Sequence, residues 1–284
     1  LADIFAARRA EALGARLPPL LVAAERVAST VAQGVHGRRR VGQGDSFWQF
    51  RPYIQGDALT RIDWRQSART DRAYVRETEW EAAQTVLLWR DGSASMQWQS
   101  RAASTEKRAR ADLLLLALAS LLLRGGERVR LIGFGGVPGH HALDRLAEQL
   151  ARIDDSGRLP DAPIPRHARV VLVSDFLAPL AEIETMIARL AAVPVSGHLL
   201  QVLDPAEADL PYQGRVRFRG LERETDTLVP RVEGIRAAYG EALARQIEGL
   251  AALCAAAGFT SAMHRTDQPP EAALLGLYSA LAPS

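Results

Sequence analysis

The sequence predicts an α/β fold, a doubly wound, mostly parallel sheet, and three observations carry that prediction. Short apolar runs alternate with helical patterns from Gln84 onward; two of those runs end abruptly in a carboxylate; and 284 residues suffice for one large domain with an extension. Strands that alternate with helices need crossover connections, which cover both faces of the sheet.

The first 32 residues place Leu, Val and Ala at helical spacing, broken by Pro18-Pro19, and predict an N-terminal helical arm over 1–33. Glycines and the triplet Arg38, Arg39, Arg40 then mark a basic loop. The stretch 34–83 is rich in aromatics, Arg and Asp and shows neither helical nor alternating periodicity. It predicts a compact ion-pair module, with Trp48, Phe50, Tyr53 and Trp64 as anchors and Arg51, Arg61, Arg65 and Arg69 pairing with Asp57, Asp63 and Glu77.

The regular part, 84–284, begins with a strand at Thr85 to Trp89 and a helix at Thr105 to Arg124, closed by Gly125-Gly126. A strand at Arg128 to Phe134, a helix at Ala142 to Ile153 and a strand at Val170 to Ser174 follow. Pro179 opens a helix over Leu180 to Ala191, before a strand at His198 to Leu203. Two extended pieces near 214–229 predict a hairpin at a sheet edge. A helix at Ile235 to Ala257, a strand at Thr260 to His264 and a helix at Pro270 to Leu281 complete the chain.

Composition narrows the function. Hydrophobic residues at 48% and charged residues at 24% are ordinary for a globular protein, and no apolar run reaches membrane-spanning length. The N-terminus lacks the order of a signal peptide, so a cytoplasmic location is expected. Cys254 is the single cysteine, which leaves no internal disulfide and no thiolate pair for zinc; its setting predicts a core position. Net charge is +2, and Lys107 is the lone lysine among Arg-dominated cations. Basic and acidic residues interleave, so nucleic acid is not expected as a partner.

The chemistry concentrates in VLLWRDGSASM, residues 86–96. Asp91, Ser93 and Ser95 stand at every second position after a buried run, and RVVLVSDF ends likewise in Asp175. In a parallel sheet both carboxylates emerge at the carboxyl edge, where oxygen donors can hold a divalent cation; magnesium suits so hard a set. Asp and Ser after a strand also serve as turn and cap residues, an alternative the pattern leaves open.

Enzymatic readings fit less well. An aspartate-based phosphatase needs a second carboxylate two residues after the nucleophile, where this chain has Ser93. A nucleophile elbow, a Walker loop and a dinucleotide fingerprint are all missing. The adjacent pair His140-His141 lacks helical ligand spacing, and His36, His167, His198 and His264 are scattered. The alternative that keeps the metal is a phosphoester hydrolase in which Asp91 and Asp175 share an ion with an acidic residue of the Arg-rich segment.

The run FWQFRPYIQGDALTRIDWRQSARTDRAYVRETEWE, followed by LLWRDGSASM and later by LDPAE, resembles a bacterial family, domain of unknown function 58. The resemblance extends from about Gly34 to the C-terminus. It implies a von Willebrand factor A-like domain whose metal-ion-dependent adhesion site uses Asp91, Ser93, Ser95 and Asp175, with magnesium as the ion. It also implies partnership with an AAA+ ATPase of the MoxR type, making this protein a non-enzymatic adaptor or co-chaperone that captures a carboxylate of the ATPase or of a client protein. Two departures stand out. The intervening loop GFGGVPGHHALDRL carries no Thr or Ser to complete the ligand set, and Arg90 precedes Asp91 where an apolar residue is usual. The site is thus expected to be either magnesium-dependent or degenerate.

Overall fold

The computed structural model describes residues 19–32, 47–54, 62–69, 72–78, 84–136, 141–153, 156–221 and 225–281. The chain divides into two compact units, one formed by 1–35 with 84–284 and the other by 36–83.

In the first unit a helix spans 19–32 (α1). Its Ala24, Val27, Ala28 and Val31 are buried at helical spacing and join the core beneath the sheet, so the helix is part of the α/β unit. The residues before 19 lie outside the described residues. The second unit holds Phe47–Pro52 (β1), a single helical turn at Trp64–Ser67 (α2) and Tyr74–Thr78 (β2), with β1 and β2 antiparallel. That pairing is a feature the sequence pattern did not announce. Trp64 is 68% exposed and is therefore no anchor, a correction to the expected aromatic cluster. The Arg38–Arg40 loop, Asp57 and Arg61 lie outside the described residues.

The main sheet begins with Thr85–Arg90 (β3), in which Val86 to Arg90 are all buried. Lys107–Arg124 (α3) follows, then Arg128–Leu131 (β4), Ala142–Ala151 (α4), Arg169–Ser174 (β5), Leu180–Ala191 (α5) and Ser196–Leu203 (β6). Pro205–Asp209 (α6) is a short helix opened by a capping box between Asp204 and Glu207. Val216–Phe218 (β7) and Thr227–Val229 (β8) pair only with each other. The expected hairpin exists, but as its own two-stranded sheet and not on the edge of the main one. Arg236–Ala256 (α7), Thr260–Arg265 (β9) and Pro270–Ala280 (α8) complete the unit.

The five strands run parallel in the order β4-β3-β5-β6-β9. With α1, α3, α4 and α8 contributing to one buried cluster and α5 and α7 to the other, the fold is the doubly wound α/β sheet that the alternating pattern predicts. Leu114 to Ser120 of α3 are buried without interruption, because this helix is covered by sheet on one side and by helices on the other. It ends where Gly126 takes φ +83°, a left-handed conformation that side chains rarely adopt.

Strand order fixes where a site can form. From β3 the chain crosses first to β4 on one side, and β5 then lies on the other side of β3, so the order reverses between β3 and β5. Connections diverge at such a switch point and leave a crevice beyond the carboxyl ends of the two strands.

Candidate functional site

The β3–β5 register pairs Arg90 with Val173, so Asp91 and Asp175 leave neighbouring strands at the same edge and within a residue of each other. All four of the site residues expected from sequence meet there. The Ser93 amide donates to Asp91 Oδ1 at 2.7 Å, the Ser93 and Ser95 hydroxyl oxygens lie 3.0 Å apart, and Ser95 donates to Asp175 Oδ2 at 2.7 Å. A continuous chain of hydrogen bonds thus joins the two carboxylates. Asp91 and Asp175 are only 8% and 4% exposed, whereas Ser95 is half-buried and opens the site to solvent.

Several partners were not singled out from sequence. Ser174 donates to Asp91 Oδ2 at 2.6 Å, and Gln201 on β6 donates to the Asp175 carbonyl at 2.8 Å. Lys107, at the first turn of α3, places Nζ 2.8 Å from Asp175 Oδ2 and 2.5 Å from Glu207 Oε1. Glu207 belongs to the α6 capping box, where its other oxygen accepts from the Asp204 amide at 2.9 Å, so the ammonium ties the site to this short helix. Only its standing as the chain's one lysine could have drawn attention to Lys107.

Electrostatics follow from burial. Desolvation pushes the Asp91 carboxyl above its ordinary value against the Ser174 and Ser93 hydrogen bonds, and the nearby Asp175 charge adds to the rise. Burial works to lower the Lys107 pKa, but the carboxylates of Asp175 and Glu207 outweigh it and hold the ammonium above its usual range. Glu207 is pushed up by burial, with Lys107 opposing.

The buried Arg90 guanidinium lies beside Asp91 and is shared among several partners. Its Nε pairs with Asp112 Oδ1 at 2.7 Å, and its Nη atoms donate to the carbonyls of Asp91 and Leu150 at 2.8 and 3.0 Å. Lys107 is a second cation beside the site, on the Asp175 side. His141 is elsewhere, exposed and 3.6 Å from Asp144, while His140 lies outside the described residues. The third wall is backbone: Gly157, at φ +63°, comes so near that a Cβ there would stand 3.0 Å from both Asp91 Oδ1 and Ser93 Cβ.

The residues that could hold a divalent ion here are Ser93 and Ser95, whose hydroxyls are hydrogen-bonded to each other. Adjacent ligands of an octahedral magnesium lie about 2.9 Å apart, given metal–oxygen distances of about 2.0–2.1 Å. The Ser93 and Ser95 oxygens, at 3.0 Å, have that separation. Among the described residues no three His, Cys, Asp or Glu side chains converge as a metal cluster, so an ion here would depend on the serines. Cys254 is buried and remote from this chemistry, in the core beside α5.

Fold and site together define a doubly wound α/β domain with hydroxyl and carboxylate side chains gathered at its switch point. Residues 49–249 match the family described as "Protein of unknown function DUF58", and the chain belongs to that family. Similar relatives are uncharacterized proteins of Mycobacterium tuberculosis (strain H37Rv) and Mycobacterium bovis, each 29% identical over 229 residues that cover 74% of this chain and 71% of the relative. Among solved structures, a conserved hypothetical protein BatB from Bacteroides thetaiotaomicron matches with a TM-score of 0.39 at 14% identity, covering 70% of this chain and 97% of that one. An aerotolerance-related membrane protein from Bacteroides fragilis matches at 0.37 and 13%, covering 70% and 98%. Both likenesses are too loose to bear on the site. Among the described residues, no helix is long and apolar enough to cross a membrane.

Proposed function

We propose that the protein is a non-enzymatic interaction module that captures an acidic side chain of a partner at the β3–β5 switch point through magnesium. Ser93 and Ser95 would hold the ion directly, with Asp91 and Asp175 balancing its charge, and the partner's carboxylate would complete its coordination. The ion supplies positive charge and an open coordination position. The protein's own groups do the rest: Ser174 and the Ser93 amide fix Asp91, while Gln201 fixes the backbone at Asp175. The observation that carries this reading is the 3.0 Å hydroxyl pair lying between two strand-end carboxylates.

The family resemblance extends the proposal to the partner, a MoxR-type AAA+ ATPase, with this chain as adaptor or co-chaperone for a client protein. A cytoplasmic location, where ATP is available, belongs to the same proposal. Calorimetric titration of the ATPase into wild type and Asp91→Ala, in magnesium, tests it. Loss of binding in the variant is expected; equal binding would remove the crevice as the docking surface.

The competing hydrolase reading requires carboxylates close enough to hold ions for in-line displacement. Here Asp175 Oδ2 already accepts from Ser95 and Lys107, and Asp91 from Ser93 and Ser174. Phosphoester cleavage in magnesium or manganese that disappears in Asp175→Ala would restore it.

A further inference from the structure

Between α6 and α7 the chain leaves the main sheet as the β7–β8 hairpin, and its first strand, within GRVRFRG over 214–220, sets an arginine at every second position. Arg215, Arg217 and Arg219 are all exposed, whereas the intervening Val216 and Phe218 are half-buried. That alternation marks one face of an extended strand turned to the protein and the other to solvent. Successive arginines on such a face stand about 6.8 Å apart. Among the described residues no carboxylate pairs with any of the three, and the exposed Leu228 of β8 lies opposite Arg217 in the middle of the row.

The hairpin is held at its base. Arg236 of α7 donates to the carbonyls of Leu210 and Tyr212 at 3.0 and 2.8 Å, and the Val232 amide donates to the Gly214 carbonyl at 3.0 Å. The Tyr212 ring packs edge-on against Phe218, with 5.8 Å between centroids. A fixed support therefore presents the arginine face, yet β7 pairs along one edge alone, with β8. An open strand edge is a row of backbone donors and acceptors ready for another extended chain.

Two features select the occupant. The open edge calls for backbone amides and carbonyls, which a polypeptide has and a nucleic acid lacks, and the row of guanidiniums calls for carboxylates at the same two-residue repeat. Nucleic acid is the poorer fit, because Tyr212 and Phe218 pack on each other and the arginine face offers Leu228 in place of an aromatic platform for bases.

We propose that the open edge of β7 is a docking site for an extended segment of a partner protein that carries acidic side chains at alternate positions. The segment adds to the hairpin as a third strand, with its carboxylates facing Arg215, Arg217 and Arg219. This surface is separate from the carboxyl ends of β3 and β5, and the proposal stands whether or not that site takes up an ion.

Fluorescence anisotropy of a labelled peptide of four Glu-Thr repeats, titrated with the full chain at low salt, tests it. The peptide is expected to bind wild type, and to bind Arg215→Gln/Arg217→Gln/Arg219→Gln at least about tenfold more weakly, since opposite charges facing across adjacent strands stabilise their pairing. Arg101→Gln/Arg152→Gln/Arg166→Gln removes the same charge from exposed positions elsewhere and should bind as wild type does. All six positions are exposed, so both variants keep the fold. N-methylation along the whole peptide keeps the carboxylates, removes the backbone donors and should weaken binding by a similar factor. Equal binding by the two triple variants, full-strength binding of the N-methylated peptide, or no binding by wild type would each overturn the proposal. So would an oligothymidylate that wild type binds more tightly than the peptide, which would make the row a phosphate contact.

Discussion

The Lys107 ammonium lies 2.8 Å from Asp175 Oδ2, and this buried contact joins the start of α3 to the end of β5 beside the switch point. The same nitrogen reaches Glu207 of α6, so one side chain holds three elements in place around the site. Lys107 therefore matters to stability as well as to charge.

Lys107→Met is expected to destabilise the protein by about 3–5 kcal/mol, because it leaves the carboxylates of Asp175 and Glu207 buried without a counter-charge. Adding Glu207→Gln should recover part of the loss. Urea denaturation of the two variants and wild type measures both effects. A single variant as stable as wild type would mean that the ion pair is not a structural tie.

Gly157→Ala should cost about 1–3 kcal/mol, since its left-handed backbone disfavours a Cβ and that Cβ would press on Asp91 Oδ1 and Ser93 Cβ at 3.0 Å. Docking should weaken as well, through displacement of the Asp91 side chain. Denaturation and calorimetry on the same sample check the pair of effects. A stable variant with undiminished partner binding would show that the segment at 157 is not a wall of the site.

A pH dependence follows from His264. Burial, with the nearby Arg110 charge adding to it and Asp267 opposing, lowers its pKa from 6.5 to about 4. The Arg110 Nη1 lies 3.0 Å from its Nε2, which suits a neutral imidazole that accepts. The unfolded chain takes up the proton first, so this contribution to stability is complete above about pH 6.5 and is lost as pH falls toward 4. The stability difference between wild type and His264→Gln should shrink by about 3 kcal/mol between pH 7 and pH 4. Chemical denaturation at the two pH values measures it; a constant difference would contradict the assignment.

How much of this was legible in the sequence depended on locality. Periodicity over a few residues placed β3, β5 and α5 almost to the residue, and an abrupt change from apolar to oxygen-bearing side chains marked Asp91, Ser93, Ser95 and Asp175. That parallel strands share a carboxyl edge was enough to bring the two aspartates together. Lys107 and Glu207 were hidden because their pairing spans 100 residues and lies in helical turns whose pattern says nothing of the crevice. Arg90 looked hostile to a cation from its position alone. Its side chain does stay beside Asp91, and part of its charge is met by Asp112 and by the Leu150 carbonyl at the end of α4, partners no local pattern reveals. The β1–β2 pairing escaped notice because its strands lack the alternation of a half-buried sheet.

The most direct test of the docking site is calorimetric titration of nucleotide-free ATPase into wild type and into Ser93→Ala/Ser95→Ala, each with magnesium and with EDTA. Binding that wild type shows in magnesium and loses in EDTA, and that the double variant lacks in both, is the predicted result. Binding by the double variant in magnesium at the strength of wild type would contradict it.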